Sequence, residues 1–337
     1  MAEEVAIIAD FNGKGYEFAK GIYEYLKRKE SKEFSVSLIN VEKTDFKDSE
    51  FKVKIAENIR GKYCFLVHDS NKEASRWLTE LIFILEAMSF SSPKEVNVVL
   101  PYTRFSRQDR KDESRVGVNA KALADIVSLY ADRGMTVDLH APQIQEYFSI
   151  PFDNLYSLTS LINYLQKNHK GILDNLVIVA TDLGGGKRVE ALVKKLKERG
   201  IKAEIAFGYK TREKDDEVAK TIIIGNVEGK NCLIVDDIID TGGTMVRTAE
   251  KLKESSAEKV FAYGTHGLFA DGIEKFKVFD KVFVSDTLKA PKAENIEIVS
   301  LVNLFGEAIY RTATGQSLSV LFDNSGKEQV SLEKFDI

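Results

Sequence analysis

Residues 231–244 read Asn-Cys-Leu-Ile-Val-Asp-Asp-Ile-Ile-Asp-Thr-Gly-Gly-Thr. The apolar run at residues 232–235 predicts a short strand that is buried on both faces. A turn at residues 240–244 follows, and residues 245–253 continue with apolar side chains at helical spacing. A glycine-rich turn between a strand and a helix presents backbone N–H groups, so this stretch predicts a phosphate site.

Three carboxylates lie in the same stretch, at Asp236, Asp237 and Asp240. They would repel a phosphate, but a vicinal diol offers two hydroxyl donors to a carboxylate. Carboxylates that accept hydrogen bonds from a diol, together with backbone amides that bind a phosphate, predict a ribose-phosphate site. The alternative is an ordinary strand-to-helix turn with Asp240 near the N-cap, which would need neither paired acids nor two glycines.

This stretch resembles the phosphoribosyl-diphosphate binding loop that type I phosphoribosyltransferases share with ribose-phosphate diphosphokinases. The loop alone is compatible with both families, so the rest of the chain has to distinguish them.

Length and composition indicate a globular protein of two domains. The chain has 337 residues, of which 44% are hydrophobic and 30% charged, enough for two cores of ordinary α/β size. Its 48 basic and 52 acidic residues give a net charge of −4, which argues against a nucleic-acid-binding protein.

The sequence also predicts a cytoplasmic location. Cys64 and Cys232 both lie in apolar, strand-like runs, which argues against a disulfide framework. The N-terminus lacks a basic-then-apolar signal, and no apolar run approaches the length of a membrane span.

Strands and helices alternate along the chain, which predicts an α/β fold with mostly parallel sheets flanked by helices. The pattern restarts around residues 151–160, so the expected domains are 1–155 and 156–337. Predicted strands lie at residues 5–9, 34–38, 51–55, 63–67, 96–100, 176–180, 203–209, 221–224, 232–235, 260–263, 282–284 and 296–299. Predicted helices lie at residues 16–27, 77–90, 120–131, 189–199, 245–253 and 301–310.

Two segments after predicted strands carry polar groups suited to phosphates or metals. Residues 102–111 place four basic groups among aromatics just after a strand, where ligands of such sheets bind. A solvated basic loop is the alternative. His140 lies just past a strand end beside Asp138, which suits a metal or phosphate role as well as a purely structural one.

A second glycine-rich turn occupies residues 181–188. It includes Asp182, Gly184 and Gly185 and leads from a buried strand into a helix, so it suits a second phosphate group or a metal. It is not a Walker loop, because the Gly-Lys-Ser/Thr spacing is absent. Residues 210–217 have no apolar periodicity and predict an exposed, mobile loop, and the tail after Asn324 is expected to be poorly ordered.

Taken together, these segments resemble a ribose-phosphate diphosphokinase (phosphoribosyl-diphosphate synthetase) from near the N-terminus to about Phe322. The resemblance rests on residues 102–111, 138–145, 154–156, 181–188, 210–212, 236–244 and 265–268, which occur in the family's order and spacing. It implies two similar phosphoribosyltransferase-like α/β domains. It also implies self-association into a homohexamer or a smaller homo-oligomer with sites between subunits.

The resemblance implies a role for each matched residue. ATP would contact Phe46, Asp48 and Glu50 of a neighbouring subunit together with Arg107, Gln108, Asp109 and His140. Ribose 5-phosphate would contact Asp236, Asp237, Asp240, Thr241, Gly242, Gly243, Thr244 and Arg212. The diphosphate would lie at Asp182, Gly184 and Gly185, with Mg²⁺ at His140 and Asp182. Catalysis would rest on Lys210 and Arg212 of a flexible loop and on His140. Without the resemblance, residues 46–50 predict only a charged turn.

The reaction implied is transfer of the diphosphoryl group of MgATP to the 1-hydroxyl of ribose 5-phosphate, which supplies nucleotide biosynthesis. Two other functions remain possible, a phosphoribosyltransferase and a non-catalytic relative that associates with active subunits. The loop at residues 112–118 departs from the family's usual basic sequence, while Arg60 and residues 317–322 match its regulatory positions. Regulation by phosphate or ADP therefore stays open.

Overall fold

The computed structural model describes residues 3–182, 184–211 and 220–321. These residues form two compact units. The first contains residues 3–156, Thr287–Lys289 and residues 301–321, and the second contains described residues of Ser157–Asp286 together with Ala290–Ser300.

The described residues contain fourteen named strands and seven α-helices. The strands of the first unit are β1 (Glu3–Ala9), β2 (Phe34–Asp45), β3 (Phe51–Ile55), β4 (Tyr63–Val67), β5 (Glu95–Leu100), β6 (Arg133–Val137) and β7 (Phe152–Leu155). Those of the second are β8 (Leu176–Ala180), β9 (Ala203–Thr211), β10 (Lys220–Ile224), β11 (Asn231–Ile239), β12 (Lys259–Gly267), β13 (Lys281–Ser285) and β14 (Ile296–Val299). The helices are α1 (Tyr16–Lys27), α2 (Ala74–Ser89), α3 (Asn119–Tyr130), α4 (Leu158–Asn168), α5 (Gly186–Glu198), α6 (Gly243–Glu254) and α7 (Val302–Ala313).

The two sheets have the same strand order. The first runs β3-β2-β1-β4-β5-β6-β7 and the second β10-β9-β8-β11-β12-β13-β14. In each sheet all neighbours are parallel except one edge pair, β2 with β3 and β9 with β10, which form antiparallel hairpins. The mostly parallel sheets flanked by helices that the sequence predicts are therefore confirmed, as is the similarity of the two halves.

Alternation along the strands divides each sheet between two cores. In β1, Ala6 and Ile8 face the core that contains α2 and α3, whereas Val5 and Ile7 face the core that contains α1 and α7. Successive side chains of a strand point to opposite faces, so a strand with helices on both sides must be apolar throughout. Each fully buried aliphatic side chain of this kind contributes about 1.5–3 kcal/mol to folding.

The last helix lies in a different unit from the one expected. The sequence placed residues 301–310 in the second domain, but α7 packs against α1 in the first unit. Its Glu307 accepts a hydrogen bond from the Tyr25 hydroxyl at 2.7 Å and pairs with Lys29 at 2.6 Å. The Nε of Arg311 donates to the same carboxylate at 2.8 Å. Tyr25 and Lys29 are about 280 positions away from Glu307 along the chain, so local sequence patterns carry no sign of these two contacts.

Every predicted strand and helix is present, and the strand end expected just before His140 is the end of β6. No strand was predicted at β7 and no helix at α4. Strand β7 has only four residues and lies at the expected domain boundary, so its short apolar run did not indicate a strand. Of the loop expected at residues 210–217, Lys210 and Thr211 belong to β9, and Lys210 pairs with Thr221 of β10. Residues 212–219 and the expected tail after Asn324 lie outside the described residues.

Candidate active site

The turn after β11 joins the central strand of the second sheet to α6. Gly242 has φ +73°, and a Cβ at this position would lie 2.2 Å from Cζ of Phe276. Only glycine fits, because L side chains disfavour this left-handed region and the ring leaves no space. Gly242 is also the N-cap residue of α6, so it has no side chain to occupy the first N–H groups of the helix. The turn therefore has the geometry of an anion site.

Asp236 and Asp237 lie near the end of β11, where one arginine binds both. Nη1 of Arg188 is 3.0 Å from Oδ1 of Asp236 and 3.1 Å from Oδ1 of Asp237. Burial, with the Asp237 carboxyl alongside, raises the pKa of Asp236 to about 7, and the charge of Arg188 opposes that rise. Asp236 therefore changes its charge close to neutral pH.

The turn after β8 is the second glycine-rich turn. Asp182 is exposed, and its Oδ1 accepts the N–H of Gly185 at 3.0 Å. A Cβ on Gly184 would lie 3.2 Å from the same Oδ1 atom, and one on Gly185 would lie 3.3 Å from Cβ of Ala180. Leu183 lies outside the described residues.

The two glycine-rich turns lie at the same edge of the second sheet. Strands β8 and β11 are adjacent and parallel, so their carboxyl ends meet. The Thr181 hydroxyl, at the start of one turn, is 3.5 Å from Oδ2 of Asp236 at the end of the other strand. Asp240, Thr241, Gly243 and Thr244 lie in the same turn as Gly242, between β11 and the first residues of α6. The structure thus brings together two possible anion sites with an acid pair between them.

In the first unit, the loop at residues 107–109 lies against the segment that follows β6. The hydroxyl of Tyr147, in a short 3₁₀ helix at Pro142–Tyr147, donates to the main-chain oxygen of Asp109 at 2.6 Å. His140 is exposed and lies two residues before this helix. The structure therefore places His140 near the loop that contains Arg107 and Gln108, both of which follow β5.

Sequence reasoning missed the residues that hold these two segments. Gln143 donates from Nε2 to Oδ2 of Asp109 at 3.4 Å, and Oδ1 of Asn154 accepts the N–H of Leu139 at 3.0 Å. Asp138 has φ +42°, an unusual value for a residue with a side chain. Nothing in the spacing of these residues indicated that they would meet. A left-handed residue two positions before His140 indicates that the turn's shape is maintained by its surroundings.

Comparison with known proteins identifies the family. The model of the N-terminal domain of ribose phosphate pyrophosphokinase matches residues 13–129, and that of the phosphoribosyl synthetase-associated domain matches residues 198–323. A ribose-phosphate pyrophosphokinase of Chlorobaculum tepidum is 40% identical over 319 residues, covering 93% of this chain and 94% of the relative. The chain belongs to the ribose-phosphate pyrophosphokinase family.

Other members of the family agree over nearly the whole length. A ribose-phosphate pyrophosphokinase of Agrobacterium fabrum is 38% identical, covering 91% of this chain and 99% of the relative. The crystal structure of the phosphoribosylpyrophosphate synthetase from Mycobacterium smegmatis superimposes with a TM-score of 0.81 at 26% identity, covering 93% of this chain and all of that chain. These comparisons confirm the family resemblance inferred from the motifs.

Within this family fold, the hairpin tip at residues 46–50 and the loop at residues 107–109 extend from different strands of the first sheet. The tip is exposed, with Phe46 at 49%, and the N–H of Phe46 donates to the oxygen of Glu50 at 2.8 Å. Oδ1 of Asp48 accepts the N–H of Glu50 at 3.1 Å. Strands β2 and β5 are three positions apart in the sheet, or about 14 Å at the usual strand spacing. The strand order therefore places Phe46, Asp48 and Glu50 at a strand three positions away from the one that leads into that loop.

The side chains of the two expected catalytic cations, Lys210 and Arg212, lie outside the described residues. Lys210 has its backbone in β9, and its side chain lies outside the described residues. Arg212 lies outside them entirely. Among the described residues, no three side chains of the His, Cys, Asp and Glu types converge as a metal site, and no helix has the length and apolar character to cross a membrane.

Proposed function

We propose that this protein transfers the diphosphoryl group of MgATP to the 1-hydroxyl of ribose 5-phosphate, giving 5-phosphoribosyl 1-diphosphate and AMP. The observation that carries the proposal is the pair of glycine-rich turns at one edge of the second sheet, with Asp236 and Asp237 between them. One ligand with a phosphate at each end and a diol in the middle matches this arrangement. The product of the proposed reaction has that form.

The sugar would bind at the turn after β11. Its 5-phosphate would accept hydrogen bonds from backbone N–H groups of Thr241, Gly242, Gly243 and Thr244, at the positive end of the α6 dipole. Its 2- and 3-hydroxyls would donate to Asp236 and Asp237, and Asp240 would orient the turn. The diphosphate being transferred would lie at Asp182, Gly184 and Gly185 on the neighbouring strand end.

The nucleotide would bind to the first unit. Arg107 and Gln108 supply donors for polyphosphate, and Asp109 is fixed by Tyr147 beside His140. Phe46, Asp48 and Glu50 would reach the adenine and ribose of ATP bound to a neighbouring copy, since the strand that leads into the loop at 107–109 lies three positions away from theirs in the sheet. A homo-oligomer, up to a hexamer, is therefore part of the proposal.

Asp182 and His140 would each serve magnesium ions together with substrate phosphates. Mg²⁺ in phosphoryl-transfer enzymes usually takes one or two carboxylates and fills its other positions with water and phosphate oxygens. The exposed carboxylate of Asp182 fits that pattern, because Gly185 occupies only its Oδ1 atom in the described contacts. The ion would neutralise charge on the phosphate oxygens.

The chain's own residues would act mainly by position and charge. The 1-hydroxyl oxygen attacks the β-phosphorus in line, the bond from this phosphorus to the oxygen of the α-phosphate breaks, and AMP leaves. Lys210 and Arg212 would neutralise charge on the transferring group, and Arg212 would also contact ribose 5-phosphate. A cytoplasmic location is part of the proposal, and Cys64 and Cys232, which are buried and form no disulfide, are compatible with it.

One assay tests this function against the two others. AMP release from ATP should depend on ribose 5-phosphate and on Mg²⁺. A phosphoribosyltransferase would instead consume phosphoribosyl diphosphate with a nucleobase and would have no use for ATP. A non-catalytic relative would show neither activity alone. Absence of ribose 5-phosphate-dependent AMP release from purified, folded protein would refute the proposal.

A further inference from the structure

Arg188 forms an ion pair with both members of the acid pair. It lies in the first turns of α5, directly after the turn that contains Asp182. One nitrogen, Nη1, is within 3.1 Å of both Asp236 and Asp237. This nitrogen has two hydrogens, so it can donate one to each carboxylate. Arg188 thus connects the helix of one glycine-rich turn to the strand of the other.

Two adjacent carboxylates resist being ionised together, because like charges at short range repel. A diol donates both of its hydrogens, so an acid that has taken up a proton is a poorer partner for it. The groups that face Asp236 are Arg188 on α5, Asp237 on its own strand and the Thr181 hydroxyl at the end of β8. On the β12 side its paired residue is Gly264, which has no side chain. Arg188 is therefore the group that favours the ionised pair.

The contacts also orient the two acids. Arg188 binds the Oδ1 atom of each carboxylate, and the N–H of Asp237 donates to Oδ1 of Asp236 at 2.9 Å. This pattern fixes the plane of each carboxylate, which orients both acids for the sugar diol. A planar guanidinium can hold two acceptors in a set geometry, whereas the flexible ammonium of a lysine acts as a point charge.

We propose that Arg188 is a positioning residue for ribose 5-phosphate, which favours the ionised forms of Asp236 and Asp237 and orients both acids for the sugar diol. The inference rests on the proposed function, because it assigns the acid pair to that substrate. It concerns sugar affinity and predicts little effect on ATP, whose expected binding residues in the first unit do not include Arg188.

The test compares Arg188→Met and Arg188→Lys with the wild type, in steady-state assays of AMP release from pH 6 to 9. Arg188→Met should raise KM for ribose 5-phosphate by about 10-fold or more, while kcat and KM for ATP change by less than about 3-fold. Arg188→Lys should recover part of the loss, since it keeps the charge. Arg199→Met, at the end of the same helix, is the matched control and should behave as wild type.

The pH profile separates this role from simple attachment of α5 to β11. KM for ribose 5-phosphate should rise as pH falls through the pKa of Asp236. Removing the cation raises that pKa further, so in Arg188→Met the midpoint should move to higher pH by about one unit or more. An unchanged midpoint, or an equal change in kcat and both KM values, would refute the inference.

A binding measurement covers the case in which Arg188→Met turns over too slowly. Ribose 5-phosphate should raise the Tm of the variant less than that of the wild type, while AMP raises both equally. Equal stabilisation by ribose 5-phosphate would overturn the inference. If the wild type itself neither binds nor uses ribose 5-phosphate, then the proposed function fails, and that outcome is distinct from failure of the arginine's role.

Discussion

The two units have the same strand order, but the helix after the fourth strand has a different kind of N-cap residue in each. In the first unit the N-cap of α2 is Glu73, whose carboxylate accepts the N–H groups of Ser75 and Arg76 at 3.0–3.2 Å. In the second unit the N-cap of α6 is Gly242. Both units therefore have a helix N-terminus after the fourth strand. In the first unit the carboxylate of Glu73 caps it, whereas in the second unit Gly242 leaves it suited to a phosphate.

The acids beside these turns also differ. In the first unit Asp10 and Glu80 border a cleft of about 450 Å³, and Lys43 contacts Asp10 at 2.6 Å and Glu80 at 3.4 Å. Lys72 contacts both acids as well, and Arg76 donates from Nε to Glu80 at 2.6 Å. We refer to these five side chains as the first-unit ion cluster.

In the second unit, by contrast, Arg188 pairs with two acids near the end of a buried strand, beside two glycine-rich turns. The comparison teaches that the same framework can give a structural ion cluster or a substrate site, depending on the turns that lie beside the acids.

The hairpins at the sheet edges should show the largest functional difference. Lys210→Ala, in the hairpin of the second unit, should lower kcat by roughly 10²–10⁴-fold with much smaller changes in KM, because a preorganised cation acts on charge in the transition state. Lys54→Ala is the control in the hairpin of the first unit, where Lys54 pairs with the exposed Glu42 at 3.0 Å. Steady-state kinetics would contradict the assignment if Lys210→Ala kept more than about half its kcat.

The first-unit ion cluster should matter for stability. Glu80 is 1% exposed, so Glu80→Met leaves the partly buried Lys43 and Lys72 short of a partner and should lower the free energy of unfolding by about 3–5 kcal/mol. The single tryptophan, Trp77, lies in the same unit and reports its unfolding by fluorescence.

Glu204→Met is the matched control in the second unit. Glu204 is 63% exposed and pairs with Lys230, so its loss should cost less than about 1 kcal/mol. Equal denaturation midpoints for Glu80→Met and the wild type would show that the cluster is not structural. A large rise in KM for ribose 5-phosphate in Glu80→Met would show that the division between the two units is wrong.

The open turn of the second unit should not tolerate a side chain. Gly242→Ala must move either the turn or the ring of Phe276, and a displacement of about 1 Å at a substrate site can cost about 10²-fold in rate. We expect kcat/KM for ribose 5-phosphate to fall by about 10²–10³-fold. Gly272 has φ +77° and open space around it. Gly272→Ala therefore introduces the same backbone strain as Gly242→Ala without a clash against a side chain, and it should remain active. Similar kinetics for both variants would contradict the account.

The smallest expected effect concerns pH and the first unit. His68 is buried, and Nε2 donates to the main-chain oxygen of Trp77 at 2.9 Å, which fixes the neutral tautomer. Burial, with Lys72 nearby, lowers the pKa of His68 from 6.5 to about 4. The unfolded chain therefore binds a proton first as pH falls, and stability drops between about pH 6.5 and 4 by about 2–3 kcal/mol.

The test of this prediction compares His68→Gln with the wild type. Denaturation followed by Trp77 fluorescence at pH 7 and pH 4.5 should show a smaller loss of stability in the variant, because glutamine does not titrate. Parallel losses in both proteins would mean that other groups determine the acid sensitivity of this unit.

Sequence patterns predicted the features that depend on neighbouring residues. Apolar runs identified every strand named in advance, and both glycine-rich turns were located from the residues between a strand and a helix. The acids at Asp236 and Asp237 were found in the same way. The physical reason is that strand periodicity, turn chemistry and helix capping are all encoded within about ten residues.

Features that join distant residues were not predictable. Lys43 lies on β2 and its partner Glu80 on α2, and Arg188 is 48 positions from Asp236. Helix α7 packs in the first unit through contacts with α1 that no local pattern indicates. Residues 46–50 form an exposed hairpin tip whose expected role requires another copy of the chain. Such contacts form only when the whole sheet is assembled, so local sequence patterns do not predict them.

Binding of ribose 5-phosphate tests the central comparison most directly. Isothermal titration in the presence of Mg²⁺ should give one site per chain, since glycine caps the helix beside the acid pair of the second unit, whereas Glu73 caps the corresponding helix of the first. Asp240→Ala should weaken that binding by about 10-fold or more, through loss of a charge-assisted hydrogen bond of about 1.5–3 kcal/mol. Two sites per chain, or unchanged affinity in Asp240→Ala, would contradict the account.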